Sequence, residues 1–100
     1  MPARKRKEAA VRHALVEMLK ARGVESLQER VSVRIVRRPG ASAPDYVVVI
    51  GYQDAKRALS PELDRLTGGV EREKSDVGIW VLSESQARAL CKELSERDGD

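Results

Sequence analysis

The chain reads as an α+β domain: a small sheet of three strands, with room for a fourth, and N- and C-terminal helices packed on one face, in the order α-β-β-α-β-α. Three observations carry this reading. Residues 8–22 repeat apolar side chains at helical spacing, residues 31–37 alternate apolar and polar at strand spacing, and two Ser-led signatures mark later helix starts. A length of 100 residues suits one domain around one modest core. Residues 1–7 read as a basic flexible leader and 8–98 as the domain.

In the first helix Val11, Leu15, Met18 and Leu19 fall at i, i+4, i+7 and i+8, an apolar stripe widened by Ala10, Ala14 and Ala21. Gly23 stops it, and Lys20 and Arg22 suit the negative end of its dipole. Next, Val31, Val33 and Ile35 face a core while Arg30, Ser32, Arg34 and Arg38 share the opposite face, as in a half-buried strand. The stretch PGASAP, residues 39–44, is a loop. Residues 46–52 are apolar on both faces, which fits a central strand paired with the first as a hairpin.

Ser60-Pro61-Glu62 offers an N-cap, a first-turn proline and an acid, so a short helix is expected to start there. Leu59, Leu63 and Leu66 mark its buried side, and Gly68-Gly69 its end. Residues 71–76 are charged and read as a surface turn, and 77–82 as a strand holding Trp80. Ser83-Glu84-Ser85-Gln86 matches a capping box. It opens a last helix striped by Ala87, Leu90, Cys91 and Leu94 and stopped by Gly99.

Composition narrows the function classes. No apolar run approaches the length of a membrane span, and no apolar segment follows the basic N-terminus as in a secretory signal. One cysteine and one histidine exclude an internal disulfide and a zinc cluster, so a cytoplasmic protein without a membrane is expected. Cys91 reads as a core thiol and His13 as a solvated side chain. The net charge of +3 is unevenly placed: residues 1–22 hold seven Lys/Arg against two Glu. That basic end reads either as an electrostatic footprint for a polyanion or as a solubilising tail.

One set of residues points to phosphodiester chemistry. Asp45 follows Pro44, Asp54-Ala55-Lys56 comes nine residues later, and Glu8 lies upstream on the first helix. Magnesium takes oxygen ligands and keeps several waters, and a nearby lysine orients the attacking water. Asp45 and Asp54 are therefore the candidate metal ligands, Lys56 the group at the water and Glu8 an assisting carboxylate.

With Pro44-Asp45, Asp54-Ala55-Lys56, Glu8-Ala-Ala-Val11-Arg12 and Leu59-Ser60-Pro61-Glu62, the chain resembles the PD-(D/E)xK nucleases of the VRR-Nuc and Holliday-junction-resolvase groups. The resemblance implies Mg or Mn dependence, cleavage of branched DNA and a homodimer, with this chain either an active or a catalytically degenerate member. It also implies a strand opening with Pro-Asp and a paired strand carrying Asp54 and Lys56 on one face.

Two backbone readings stay open. A hairpin turning inside 47–52 brings Asp45 and Asp54 together, but Val49-Ile50 suit a tight turn poorly. A continuous strand to Tyr52, with Asp54 capping a short helix, sets them roughly 25–30 Å apart.

Two other functions fit the same chain. A non-catalytic nucleic-acid-binding module, with DNA ahead of RNA, uses Arg4, Lys5, Arg6, Lys7, Arg12, Arg30, Arg34 and Arg38 to neutralise phosphates. Trp80, Tyr46 or Tyr52 beside the strand arginines add base stacking, unless they belong to the core. A small protein-binding factor, such as a phage-type inhibitor or complex subunit, docks a partner through the sheet's exposed face or edge.

Overall fold

β-Branched residues make up at least half of three of the four strands, and the alternation along each strand decides which side chains meet the helices. The computed structural model describes residues 3–74 and 76–98 of the chain. The order is α1 (Ala3–Ala21), a 3₁₀ turn (Glu25–Arg30), β1 (Val31–Val36), β2 (Asp45–Ile50), α2 (Gln53–Thr67), β3 (Arg72–Lys74), β4 (Val77–Leu82) and α3 (Glu84–Asp98). The strands form one antiparallel sheet in the order β1-β2-β4-β3. The fold is the expected α+β arrangement, with the fourth strand present. No helix among the described residues is long and apolar enough to cross a membrane.

Register aligns the core row by row. Val31 sits opposite Ile50, Val33 opposite Val48 and Ile35 opposite Tyr46. Val48 then faces Trp80, and Tyr46 faces Leu82. Against this face pack Val11, Leu15 and Leu19 of α1, Ala55, Leu59 and Leu63 of α2, and Ala87 and Leu90 of α3.

Local chemistry explains the helix ends. After α1, the Val24 N–H donates to the Leu19 carbonyl at 2.9 Å and the Gly23 N–H to Lys20 at 3.0 Å, with Gly23 at φ +75. This is the paired bonding that a left-handed glycine allows at a helix terminus. At α3 the capping box forms: the Ser83 N–H donates to Gln86 Oε1 at 2.8 Å, and the Gln86 N–H to Ser83 Oγ at 3.2 Å.

Three elements differ from expectation. Helix α1 begins at Ala3, so residues 3–7 of the basic leader are helical. Met1, Pro2 and the Gly99 stop lie outside the described residues. Helix α2 starts at Gln53, with Ser60 and Pro61 inside it. Ala55, Leu59 and Leu63 recur at i, i+4 and i+8 and are all fully buried, so tertiary burial carries the helix through the proline. Pro61 has no N–H for the Arg57 carbonyl one turn back, while the Ser60 hydroxyl donates to the Lys56 carbonyl at 2.6 Å. Finally, Arg72–Lys74 is strand rather than turn: it is a short, charged edge on β4, whose brevity and cations protect it from pairing with another chain.

Candidate nucleic-acid interface

The carboxylates singled out in the sequence fall in separate places. Asp45 opens β2, and its Oδ2 lies 2.9 Å from Arg38 Nε. The strand then runs unbroken to Ile50, with no turn inside it. Strand rise alone puts Ile50 about 17 Å from Asp45. Asp54 comes after that end, exposed in the first turn of α2, where a negative charge suits the helix dipole. Asp54 and Lys56 therefore lie on a helix, not on a paired strand as the resemblance implies.

Lys56 is buried on α2, and its Nζ meets Glu73 Oε1 of β3 at 2.6 Å. The pair ties the edge strand to the helix layer. Glu8 is occupied elsewhere again: its Oε2 accepts the Ile35 N–H at 2.7 Å. Among the described residues, no group of three His, Cys, Asp or Glu side chains is placed to hold a metal ion. Asp45 and Asp54 do not fit a shared magnesium or manganese ion, because strand β2 holds them apart, while Lys56 is engaged by Glu73 and Glu8 by the Ile35 N–H.

Glu8 and Arg12 share a different task. They sit one turn apart on α1 and reach the outer edge of β1 together. The Gly51 N–H donates to the Arg30 carbonyl at 2.9 Å, so the even positions of β1 bond to β2. Val31, Val33 and Ile35 consequently turn their backbone groups outward. Arg12 Nε donates to the Val31 carbonyl at 3.0 Å and Nη2 to the Gln28 carbonyl at 2.7 Å. The carboxylate thus takes an edge N–H and the guanidinium an edge carbonyl, which blunts the exposed strand. Arg12, expected among the phosphate contacts, is turned into the fold.

The remaining cations form two groups. Arg4 and Lys7, three residues apart on one side of α1, line a concavity of about 240 Å³ with Arg37, Ile35 and Pro44. Lys7 also meets Glu84 Oε1 of α3 at 3.2 Å. Lys5 and Arg6 are exposed beside them, and the first turn of α1 contains no acid to offset its dipole. Arg30 and Arg34 lie on the other side, on the uncovered face of the sheet. The Arg30 guanidinium sits 5.8 Å from the centre of the Tyr52 ring.

Arg37 was not among the expected contacts, yet alternation carries the signal. Odd positions of β1 face the helices, so the residue that follows Val36 leaves the strand toward α1.

The aromatics resolve mainly to the core. Trp80 is 1% exposed and Tyr46 3%, while Tyr52 is 47% exposed. Trp80 Nε1 donates to Asp64 Oδ1 at 2.8 Å, which satisfies its one donor beneath α2. Burial raises the Tyr46 hydroxyl pKa, with Glu84 adding to the effect, and burial alone raises that of the Cys91 thiol. His13 is exposed, with Nε2 3.8 Å from Glu17. The uncovered face thus presents arginines and aliphatic side chains, without a row of rings on which bases stack. No family model matches the chain, and no curated protein or solved structure is significantly similar to it.

Proposed function

We propose that the chain is a non-catalytic nucleic-acid-binding module that holds the phosphate backbone of duplex DNA at the start of α1 and the end of β1. One observation carries the reading. Two basic segments some thirty residues apart in sequence converge, so that Arg4, Lys7 and Arg37 surround one concavity. Lys5 and Arg6 extend the cationic surface, and the acid-free helix terminus adds to it. Phosphates need only cations and N–H donors, which this end supplies. Stacking with unpaired bases needs exposed rings, and the structure puts two of the three aromatics in the core.

The test is fluorescence anisotropy of a labelled duplex across a salt series. Neutralising three or four phosphates predicts a slope of log K on log salt of about −3 to −4. Arg4→Ala with Arg37→Ala flattens that slope by about two, while Asp54→Ala leaves it unchanged. No binding at low salt, or binding indifferent to Arg4 and Arg37, overturns the proposal. Cleavage of branched DNA in manganese, abolished by both Asp45→Asn and Asp54→Asn, overturns the non-catalytic part of it.

A further inference from the structure

We infer that the uncovered face of the sheet docks an amphipathic helix of a partner protein, one whose apolar stripe is flanked by carboxylates. Among the described residues, helices cover only the face that carries Val48, Ile50 and Trp80. The other face presents Val47 and Val49 of β2 beside Val81 and Ile79 of β4, in matched cross-strand pairs. Val36, 44% exposed, and Val77, 38% exposed, continue the patch at opposite corners. A solvated antiparallel face ordinarily alternates to polar side chains, and these two central strands do not. Contiguous apolar surface inside a charged rim marks an interaction site.

The rim selects the occupant. Arg30 and Arg34 flank the patch on β1; Arg72 and Lys74 flank it on β3, sharing the face of Ile79 and Val77. At the Val36 end Arg38 lines it with Asp45 and Glu71, so cations outnumber acids around it. Two copies set face to face would bring these cationic rims together, so a second copy is disfavoured. Nucleic acid could set phosphates on the rim but would leave the aliphatic centre of the patch against bases that it can neither hydrogen-bond nor stack upon. A helix with a leucine stripe between rows of glutamates places apolar on apolar and opposite charge on each rim.

At the Arg30 corner stands Tyr52, exposed beside the guanidinium and held at φ +75 although it is not glycine. Tyrosine and arginine are the residue types on which interfaces most often anchor. A side chain kept in that backbone region against its preference is consistent with such a role.

The test uses a synthetic peptide with leucines at i, i+3, i+4 and i+7 and glutamates on both flanks. The control peptide carries lysines in place of the glutamates. Titration into ¹⁵N-labelled protein should shift the amides of Val47, Val49, Ile79 and Val81, with the lysine peptide at least about tenfold weaker. Ile79→Lys should abolish the shifts, and Ile79→Thr, which keeps the β-branch, should weaken binding if the first variant fails to fold. Absence of shifts at millimolar peptide, equal affinity for both peptides, or shifts confined to the α1 end overturns the inference. So does a concentration-dependent dimer that Ile79→Lys dissociates, which gives the face to a second copy. Duplex DNA shifting the same four amides would give it to nucleic acid and likewise overturn it.

Discussion

Gly78→Ala should destabilise the protein, although a strand glycine replaced by alanine ordinarily gains stability. A Cβ built at Gly78 lies 2.5 Å from Trp80 Cη2, 2.6 Å from Cζ3 and 3.3 Å from Lys56 Cδ. Carbon atoms at rest stand about 3.5–4.0 Å apart, so roughly 1 Å of room is missing. The indole has little freedom to retreat: it is 1% exposed, and Asp64 holds its Nε1 at 2.8 Å. Overpacking of this kind costs about 1–3 kcal/mol, against which the relief of glycine's backbone entropy returns about 0.5–1 kcal/mol. The midpoints of these ranges leave a net loss of about 1 kcal/mol, with an upper bound of about 2.5 kcal/mol, so Tm should fall by roughly 4–8 °C for a domain of this size. Thermal melts followed by circular dichroism and by tryptophan fluorescence measure it. Trp80→Phe in the same background should recover part of the loss, because the two side chains couple through one contact. An unchanged or raised Tm in Gly78→Ala would refute the packing argument.

Three further outcomes follow from other contacts. Glu8→Ala or Arg12→Ala leaves an edge N–H or carbonyl of β1 without its side-chain partner, and should cost about 1–3 kcal/mol in urea denaturation. Equal stability of both variants to wild type would remove the edge-blunting role. Lys56→Met keeps the aliphatic stem beside Gly78 and frees a glutamate that is already 53% exposed, so it should change stability by less than about 1 kcal/mol. Lys56→Ala loses the stem and should cost more, and an equal loss in both would assign the energy to charge instead. Burial favours the neutral Cys91 thiol, so its folded pKa lies above the unfolded value. Its contribution to stability is present below the unfolded pKa and fades as pH rises through the folded one. Alkylation in native protein should therefore run slower than in urea at mildly alkaline pH and accelerate at higher pH. Equal rates in the two states would contradict the burial.

Elements whose signal is local were legible in the sequence. The Ser83 capping box, the Gly23 stop, the alternation of 31–36 and the stripe Val11, Leu15, Met18 and Leu19 all appear in the structure, because each rests on bonds or periodicity within a few residues. The start of α2 was half legible: the open reading in which Asp54 caps a helix lies close to the observed start at Gln53, whereas the start read at Ser60 falls inside the helix. Ser60-Pro61 is a sound local start, but burial of Ala55 and Leu59 against the sheet outweighs it. Strand β3 was hidden for a related reason: Arg-Glu-Lys has no strand preference of its own and gains one by pairing with β4.

The candidate sites divide in the same way. Composition and charge order determined that a basic N-terminus exists and that one central strand is apolar on both faces. Tertiary structure decided what each charge does. It spends Glu8 and Arg12 on the edge of β1, ties Lys56 to Glu73, and parts Asp45 from Asp54 by the length of a strand. It also brings Arg37 to Arg4 and Lys7, and leaves Val47, Val49, Ile79 and Val81 uncovered. The physical reason is range: caps and periodicity act within a turn or two of chain, whereas the partner of a charged side chain depends on which distant segment the packed core sets beside it.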